Sequence, residues 1–220
     1  MLEFSPLCLQ RLNLDQRLSK ILDNVDSVHL DIMDGEFVPN EAFDVEGINN
    51  FKCKIPKHVH IMAHDPDKYI NKLKNIDSIS FHLEVGDTLN IIKNIKKKNI
   101  KVGIVVSPQT PIEGIFDYID LIDRVIIMSV EPGFSGQKYL PDTSSKIIKL
   151  RKFSKDIEIA IDGGMNEHTI REVRTLGANS FIICSVIVKS DDIVSKILEL
   201  KKSSKMGTIN NNLLEKDINT

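Results

Sequence analysis

Val28-His29-Leu30-Asp31-Ile32-Met33-Asp34-Gly35 reads as a strand running into a glycine turn, and the turn continues through Phe37-Val38-Pro39-Asn40. Side chains alternate faces along a strand, so His29, Asp31 and Met33 share one face while Leu30 and Ile32 share the other. A histidine, a carboxylate and a methionine form an odd lining for a plain core. A satisfied core histidine beside a turn-capping aspartate accounts for the stretch equally well, so the rest of the chain must decide.

Outward from this stretch, short apolar runs alternate with amphipathic ones almost to the end of the chain. The spacing predicts strands over 3–9, 27–33, 59–63, 78–84, 101–107, 124–130, 157–162 and 179–185. Helices are expected at 14–24 (Leu14, Leu18, Ile21, Leu22), 44–51, 87–99, 111–122, 143–156, 167–176 and 191–202. A further helix should open at Asp65-Pro66, with Asp65 as N-cap and Pro66 at its first position, and run through Leu73. Strict alternation implies parallel strands with right-handed crossovers, and eight such units fit a closed (β/α)8 TIM barrel. An open doubly wound sheet is disfavoured because no Gly-x-Gly-x-x-Gly follows the first strand. Residues 1–202 are therefore expected to form one barrel domain, and 203–220 a polar, disordered C-terminal tail.

Composition narrows the function classes. The 220 residues are 41% hydrophobic and 27% charged, with a formal net charge of −2. That balance suits a soluble α/β protein and argues against nucleic acid as a partner. No apolar run approaches a membrane span and no signal pattern opens the chain. Cys8, Cys53 and Cys184 show no paired spacing, so no disulfide framework is expected and a reducing cytoplasm fits.

In a barrel, functional groups sit at the C-terminal strand ends and in the loops that follow. His29 and Asp31, His60, His82 and Glu84, and Asp162 occupy such ends. Histidines and carboxylates from different strands make a mixed N/O donor set for zinc, iron(II), manganese(II) or cobalt(II). Each residue alone is equally well read as structural; the argument is their joint placement. Asp162-Gly163-Gly164 ahead of a helix, together with Cys184-Ser185 after the last strand, suits a phosphate group or a tight turn. The loop Glu131-Pro132-Gly133-Phe134-Ser135-Gly136-Gln137 is longer than a connection requires and suits a lid.

These motifs together resemble the ribulose-phosphate 3-epimerase family over about residues 3–200. The matching pieces are His-Leu-Asp-Ile-Met-Asp-Gly-Glu-Phe-Val-Pro-Asn (29–40), Val-His-Ile-Met (59–62) and Phe-His-Leu-Glu (81–84). Val-Gly-Ile-Val-Val-Ser-Pro-Gln-Thr-Pro (102–111), Met-Ser-Val-Glu-Pro-Gly-Phe-Ser-Gly-Gln (128–137) and Asp-Gly-Gly (162–164) follow in the family's order. The resemblance implies a metal-dependent isomerase of pentose phosphate metabolism that interconverts D-ribulose 5-phosphate and D-xylulose 5-phosphate. It implies one divalent metal ion on His29, Asp31, His60 and Asp162, with Asp31 and Asp162 also the acid/base pair. Met33, Met62 and Met128 match methionines that shield the enediolate, and His82 and Glu84 match residues behind the ligands. Phosphate and substrate contacts are implied for Ser5, His60, Gly133, Phe134, Ser135, Gly136, Gly163, Gly164, Cys184 and Ser185. Homo-oligomerisation is left open.

The chain departs from the family pattern in three places. Cys184-Ser185 stands where Gly-Ser or Gly-Thr is usual, Ser5-Pro6 replaces Pro-Ser, and His58 replaces an aspartate. An allulose-6-phosphate 3-epimerase and a non-catalytic phosphosugar-binding barrel remain as rival expectations.

Overall fold

The computed structural model describes residues 1–9, 16–206 and 209. Strands β1 (Leu2–Phe4), β2 (Ser27–Met33), β3 (Lys57–Met62), β4 (Ser78–His82), β5 (Lys101–Val106), β6 (Arg124–Met128), β7 (Glu158–Asp162) and β8 (Ser180–Ile183) pair in chain order. Every pair is parallel, and β8 returns to β1, so the sheet closes into the expected barrel. Helices α1 (Gln16–Leu22), α2 (Val45–Asn50), α3 (Asp67–Ile70), α4 (Thr88–Lys96), α5 (Ser144–Phe153), α6 (Glu167–Leu176), α7 (Ser185–Val188) and α8 (Ile193–Lys205) connect the strands.

Several elements differ from the sequence expectation, for local reasons. The first strand stops at Phe4, because Pro6 has no N–H for a ladder and opens a 3-10 turn over Pro6–Leu9. Pro66, not Asp65, stands at the N-cap of α3. That helix ends at Ile70, where Asn71 Nδ2 turns back to the Asp67 carbonyl. The segment Ile112–Leu121 winds as a 3-10 helix rather than an α-helix. Its Gly114 and β-branched isoleucines favour the α form weakly, and the tighter turn stacks Ile112 over Ile115 against the core. The strand expected to reach 185 ends at Ile183, and the unforeseen α7 follows it. Finally, α8 runs past 202 to Lys205, with Ser203 fully buried and accepting from Arg171 Nε at 3.2 Å. Leu14, and residues 207–208 and 210–220 of the expected tail, lie outside the described residues.

Alternation sorts the strand side chains into two cores. Outward residues such as Leu30, Val59, Ile61, Ile79, Ile104 and Ile161 pack beneath Leu18, Ile21, Ile95, Ile147, Ile170 and Ile197 of the helices. The barrel interior divides by strand. On β5–β8 it is mostly apolar, with Val105, Ile126, Met128, Ala160 and Ile182 in one cluster, and Arg124, Asp162 and Ser180 are its polar members. On β1–β4 it is polar, carrying Glu3, His29, Asp31, His58, His60, Ser80 and His82, all buried.

Arg124 on β6 crosses the interior to reach the polar half. Its guanidinium pairs with Glu3 and lies 2.7 Å from His58 Nδ1. Gly103 makes room for it: a Cβ there would collide with Ser80 Oγ and lie 2.9 Å from Arg124 Cγ. His58 therefore faces the lower layer of the barrel rather than the mouth. Among the described residues no helix is long and apolar enough to cross a membrane. Overpacking at this crossing should destabilise the barrel, so we expect Gly103→Ala to lower stability by about 1–3 kcal/mol in denaturant titration. A variant as stable as the parent would show that this interior yields without strain.

Candidate active site

Parallel register builds the upper site. Asp31 on β2 is opposite His60 on β3, and Met33 is opposite Met62. On the other side of the barrel Met128 on β6 is opposite Asp162, the last residue of β7. Closure brings these strands to one mouth, where ligand atoms from His29, Asp31, His60 and Asp162 all lie within 4.8 Å of one another.

The contacts within this quartet are directional. His29 Nε2 is 3.4 Å from Asp31 Oδ1 and 3.9 Å from Asp162 Oδ2. His60 Nδ1 is 3.2 Å from Asp31 Oδ1 and 3.9 Å from Asp162 Oδ2. The other oxygen of Asp31 accepts from Ser5 Oγ at 2.8 Å, which places Ser5 at the site despite its inverted Ser-Pro order. Behind His60 its Nε2 meets His82 Nε2 at 3.0 Å, and His82 Nδ1 meets Glu84 Oε2 at 3.1 Å. With Glu84 accepting, His82 Nδ1 donates to Glu84, and the chain of contacts runs on through His82 Nε2 to His60 Nε2.

Burial sets the electrostatics. Burial disfavours the His29 cation, but the Asp31 carboxylate and then Glu3 and Asp162 outweigh it and raise the group to about 10. Asp31 is penalised by burial too, yet His29 and His60 hold it well below the ordinary carboxylate range. Asp162 moves the other way, to about 7, driven up by burial and by the Asp31 and Glu3 charges against the pull of His29. Burial lowers His60, and it lowers His82 to about 4, so the His82 imidazole is neutral near pH 7. Two carboxylates side by side are thus pushed apart in acidity, the pattern of an acid/base pair.

A pocket opens above the quartet. Its wall contains Ser5, Asp31, Met33, Met62, Met128, Gly133, Phe134, Ser135, Gly136, Asp162, Gly163, Gly164, Cys184 and Ser185. His29 and His60 lie beneath its floor, at 1% and 0% exposure. The methionines serve two purposes, since Met33 and Met62 pack with Val38, and Met128 with Val105 and Ile126, while all three face the pocket. Gly164 is demanded by geometry: at φ +63°, a Cβ would collide with the Tyr139 nitrogen and lie 2.7 Å from the Tyr139 Cα. The α6 N-terminus contributes less than expected, because Asn166 Oδ1 already takes the His168 and Thr169 amides in a capping box. The 131–137 loop is tied down by Asn40 Nδ2 on the Gly133 carbonyl and by Gln137 Nε2 on the Glu131 and Phe134 carbonyls.

Leu7, Val130, Glu131, Gln137, Met165 and Ile182 also line the pocket and were not anticipated. Glu131 and Gln137 are the two ends of the 131–137 loop that the sequence singles out, though neither was expected as a site residue. The four apolar residues carry no signal, since any core position looks the same.

The cysteine reading requires correction. Cys8, on the turn after β1, and Cys184, after β8, are joined in a disulfide, and only Cys53 is free. The two are 176 positions apart. Sequence spacing could not show it, because barrel closure is what brings β8 beside β1. The pairing also removes the argument from cysteines for a reducing compartment.

A (β/α)8 barrel with clustered histidines and aspartates at its mouth, below a glycine-lined pocket, defines an enzyme class built on metal and acid/base chemistry. Comparison with known proteins gives the family. Residues 1–188 match the model of the ribulose-phosphate 3 epimerase family. The chain is 33% identical to a ribulose-phosphate 3-epimerase of Methanocaldococcus jannaschii, over 89% of this chain and 86% of that one. It is 34% identical to the ribulose-phosphate 3-epimerase of Bacillus subtilis, over 81% and 87% respectively. Among solved structures, a 3-hexulose-6-phosphate synthase superposes with a TM-score of 0.66 at 16% identity, covering 92% of this chain and 98% of that one. That likeness concerns the fold. The chain belongs to the ribulose-phosphate 3-epimerase family.

We expect thiol titration of the denatured, unreduced protein to detect one thiol, and three after reduction. Three thiols without reductant would break the Cys8–Cys184 assignment.

Proposed function

We propose that the chain interconverts D-ribulose 5-phosphate and D-xylulose 5-phosphate, a step of pentose phosphate metabolism, by a two-base proton transfer at C3. The observation that carries the proposal is the convergence of four donor groups from β2, β3 and β7 within 4.8 Å, with both aspartates facing one pocket. Membership of the family supplies the substrate class.

The donor set suits a divalent cation. Both nitrogens of His29 are buried without a hydrogen-bond partner, a costly arrangement unless a further group completes it. His29, Asp31, His60 and Asp162 would hold zinc, iron(II), manganese(II) or cobalt(II) through mixed N/O ligation. When bound, such an ion supplies positive charge that polarises a carbonyl and offsets the charge of an enediolate.

The remaining chemistry belongs to the chain's own groups. Inversion at a carbon α to a carbonyl needs a base on one face and an acid on the other. Asp31 is the carboxylate held ionised, so it is suited to remove the proton. Asp162, which faces the same pocket from β7, is suited to carry the proton returned to the opposite face, and the roles exchange in the reverse direction. Ser5 holds the free oxygen of Asp31 in place at 2.8 Å. Met33, Met62 and Met128 present polarizable apolar surface that keeps water from the enediolate. Gly163, Gly164, Ser185 and the Gly133–Gly136 loop are suited to receive the phosphate end of the substrate. A cytoplasmic location is supported by the rice relative, named a cytoplasmic isoform.

The test is turnover of ribulose 5-phosphate against allulose 6-phosphate by the metal-loaded protein. A large preference for the pentose phosphate is expected, and a preference for the hexose phosphate would reassign the substrate. Asp162→Asn should reduce kcat by about 10²-fold or more while leaving the fold intact by circular dichroism. Full activity in that variant would mean that another group returns the proton.

Ligation also fixes a pH dependence. At pH 7 the metal-free protein holds a proton on His29, raised to about 10, and a fractional one on Asp162, raised to about 7. Both protons must leave for ligation, so metal binding releases protons and tightens as pH rises. Zinc affinity by chelator competition should therefore increase from pH 6 to pH 8. Affinity independent of pH would show that these groups do not bind the ion.

A further inference from the structure

Below the quartet, Glu3 on β1 is fully buried in the barrel interior. Its Oε1 accepts from Ser180 Oγ at 2.8 Å and pairs with Arg124 Nη2. Its Oε2 lies 2.8 Å from His58 Nδ1 and 3.6 Å from His29 Nδ1. Arg124 is itself 2% exposed and also reaches Glu158 Oε1 at 3.1 Å. Desolvating such a pair offsets most of its attraction, and well-packed apolar residues often fill the same space with equal or better stability. Elsewhere the barrel interior adopts that apolar solution, with Val105, Ile126, Ala160 and Ile182 inside. Stability alone therefore gives little reason for a carboxylate at position 3.

The position of His29 supplies a reason. Its Nε2 faces Asp31 and Asp162, its Nδ1 faces Glu3, and neither nitrogen has another partner. His60, the other histidine of the quartet, is backed through its far nitrogen by His82 and then by the Glu84 carboxylate. Glu3 stands in the equivalent place behind His29, without an intermediary. A neutral imidazole carries one proton, and a fixed carboxylate beside Nδ1 determines which nitrogen keeps it.

We infer that Glu3 is a positioning residue: in the ligating, neutral His29 ring it holds the remaining proton on Nδ1, so that the Nε2 lone pair faces the Asp31–Asp162 side of the site. Arg124 and Ser180 in turn hold the Glu3 carboxylate. The inference rests on the reading of the quartet as a metal site. It concerns ring orientation and tautomer, and Glu3 itself does not touch the substrate pocket, from whose wall it is absent.

The test uses metal affinity and ring spectroscopy. In zinc-loaded wild-type protein, proton–nitrogen correlation of the histidine rings should show a proton on His29 Nδ1, shifted downfield and protected from exchange by Glu3. Cobalt(II) affinity, followed by d–d absorption in chelator competition, should fall by about 10- to 100-fold in Glu3→Gln. The double variant Glu3→Leu/Arg124→Met removes both charges of the pair together, leaving only the partly exposed Glu158 carboxylate without Arg124, and it should show a similar loss. Glu158→Gln, which alters the surroundings of Arg124 without facing His29, should bind cobalt(II) as the parent does.

Variants that bind within twofold of wild type would overturn the inference. So would an equal loss in Glu158→Gln, which would mark a general effect of interior charge. A His29 ring protonated on Nε2, or an Nδ1 proton exchanging freely in the wild type, would overturn it without any variant. Wild-type protein that binds no cobalt(II) would refute the metal reading itself, and this inference with it.

Discussion

The Asp31 carboxylate is the group on which the site depends. It is 3% exposed, and an isolated buried carboxylate would be protonated rather than charged. Here His29 and His60 both face Oδ1, while the Ser5 hydroxyl donates to Oδ2. These partners come from β2, from β3 and from the residue that follows β1, and the three strands lie side by side in the sheet. The charge is therefore maintained by strand order and register, and a slip of one residue would turn His60 to the outer face.

That requirement propagates downward. A polar half-barrel needs partners for its buried groups, and on the β1–β4 side the charged ones meet in tiers, while the Ser27 and Ser78 hydroxyls and the His29 ring nitrogens have no hydrogen-bond partner. Asp31 with the two histidines forms the upper tier, and Glu3 with His58, Arg124 and Ser180 the lower. The cation for the lower tier comes from β6, across the interior, and it passes only because position 103 lacks a Cβ. The β5–β8 side has fewer polar groups to satisfy, Arg124, Asp162 and Ser180 among them, and its cluster of Val105, Ile126, Met128, Val130, Ala160 and Ile182 is apolar. The pocket draws on both sides: Asp31 and Asp162 face it from β2 and β7, among Met33, Met62, Met128, Val130 and Ile182.

Sequence alone made the alternation and the strand-end residues legible, because period-two and period-3.6 patterns register burial directly. It also marked His29, Asp31, His60 and Asp162, although only the family motifs joined residues so far apart in the chain into one group. What it could not register was anything created by closure. The Cys8–Cys184 bond joins turns after the first and last strands, and the Glu3–Arg124 pair spans the interior from β1 to β6. Glu3 belongs to none of the family motifs and opens the strand expected over 3–9, so nothing local marks it. The 3-10 winding of Ile112–Leu121 escaped for another reason: apolar residues three apart suit both helix types, and the choice turns on packing against the barrel.

The same closure settles the glycine-lined end of the pocket. Cys184 lines the pocket, so its Sγ must be placed somewhere. The bond to Cys8 directs it toward the β1 turn, where Cys8 N also lies 3.3 Å from Sγ. The side chain is thereby fixed against the wall, while Ser185 and the glycines at 163 and 164 still face the opening. Position 8 and position 184 are then a single structural decision. A glycine at 184 would leave Cys8 without its partner, so the two positions are expected to tolerate change together more readily than apart.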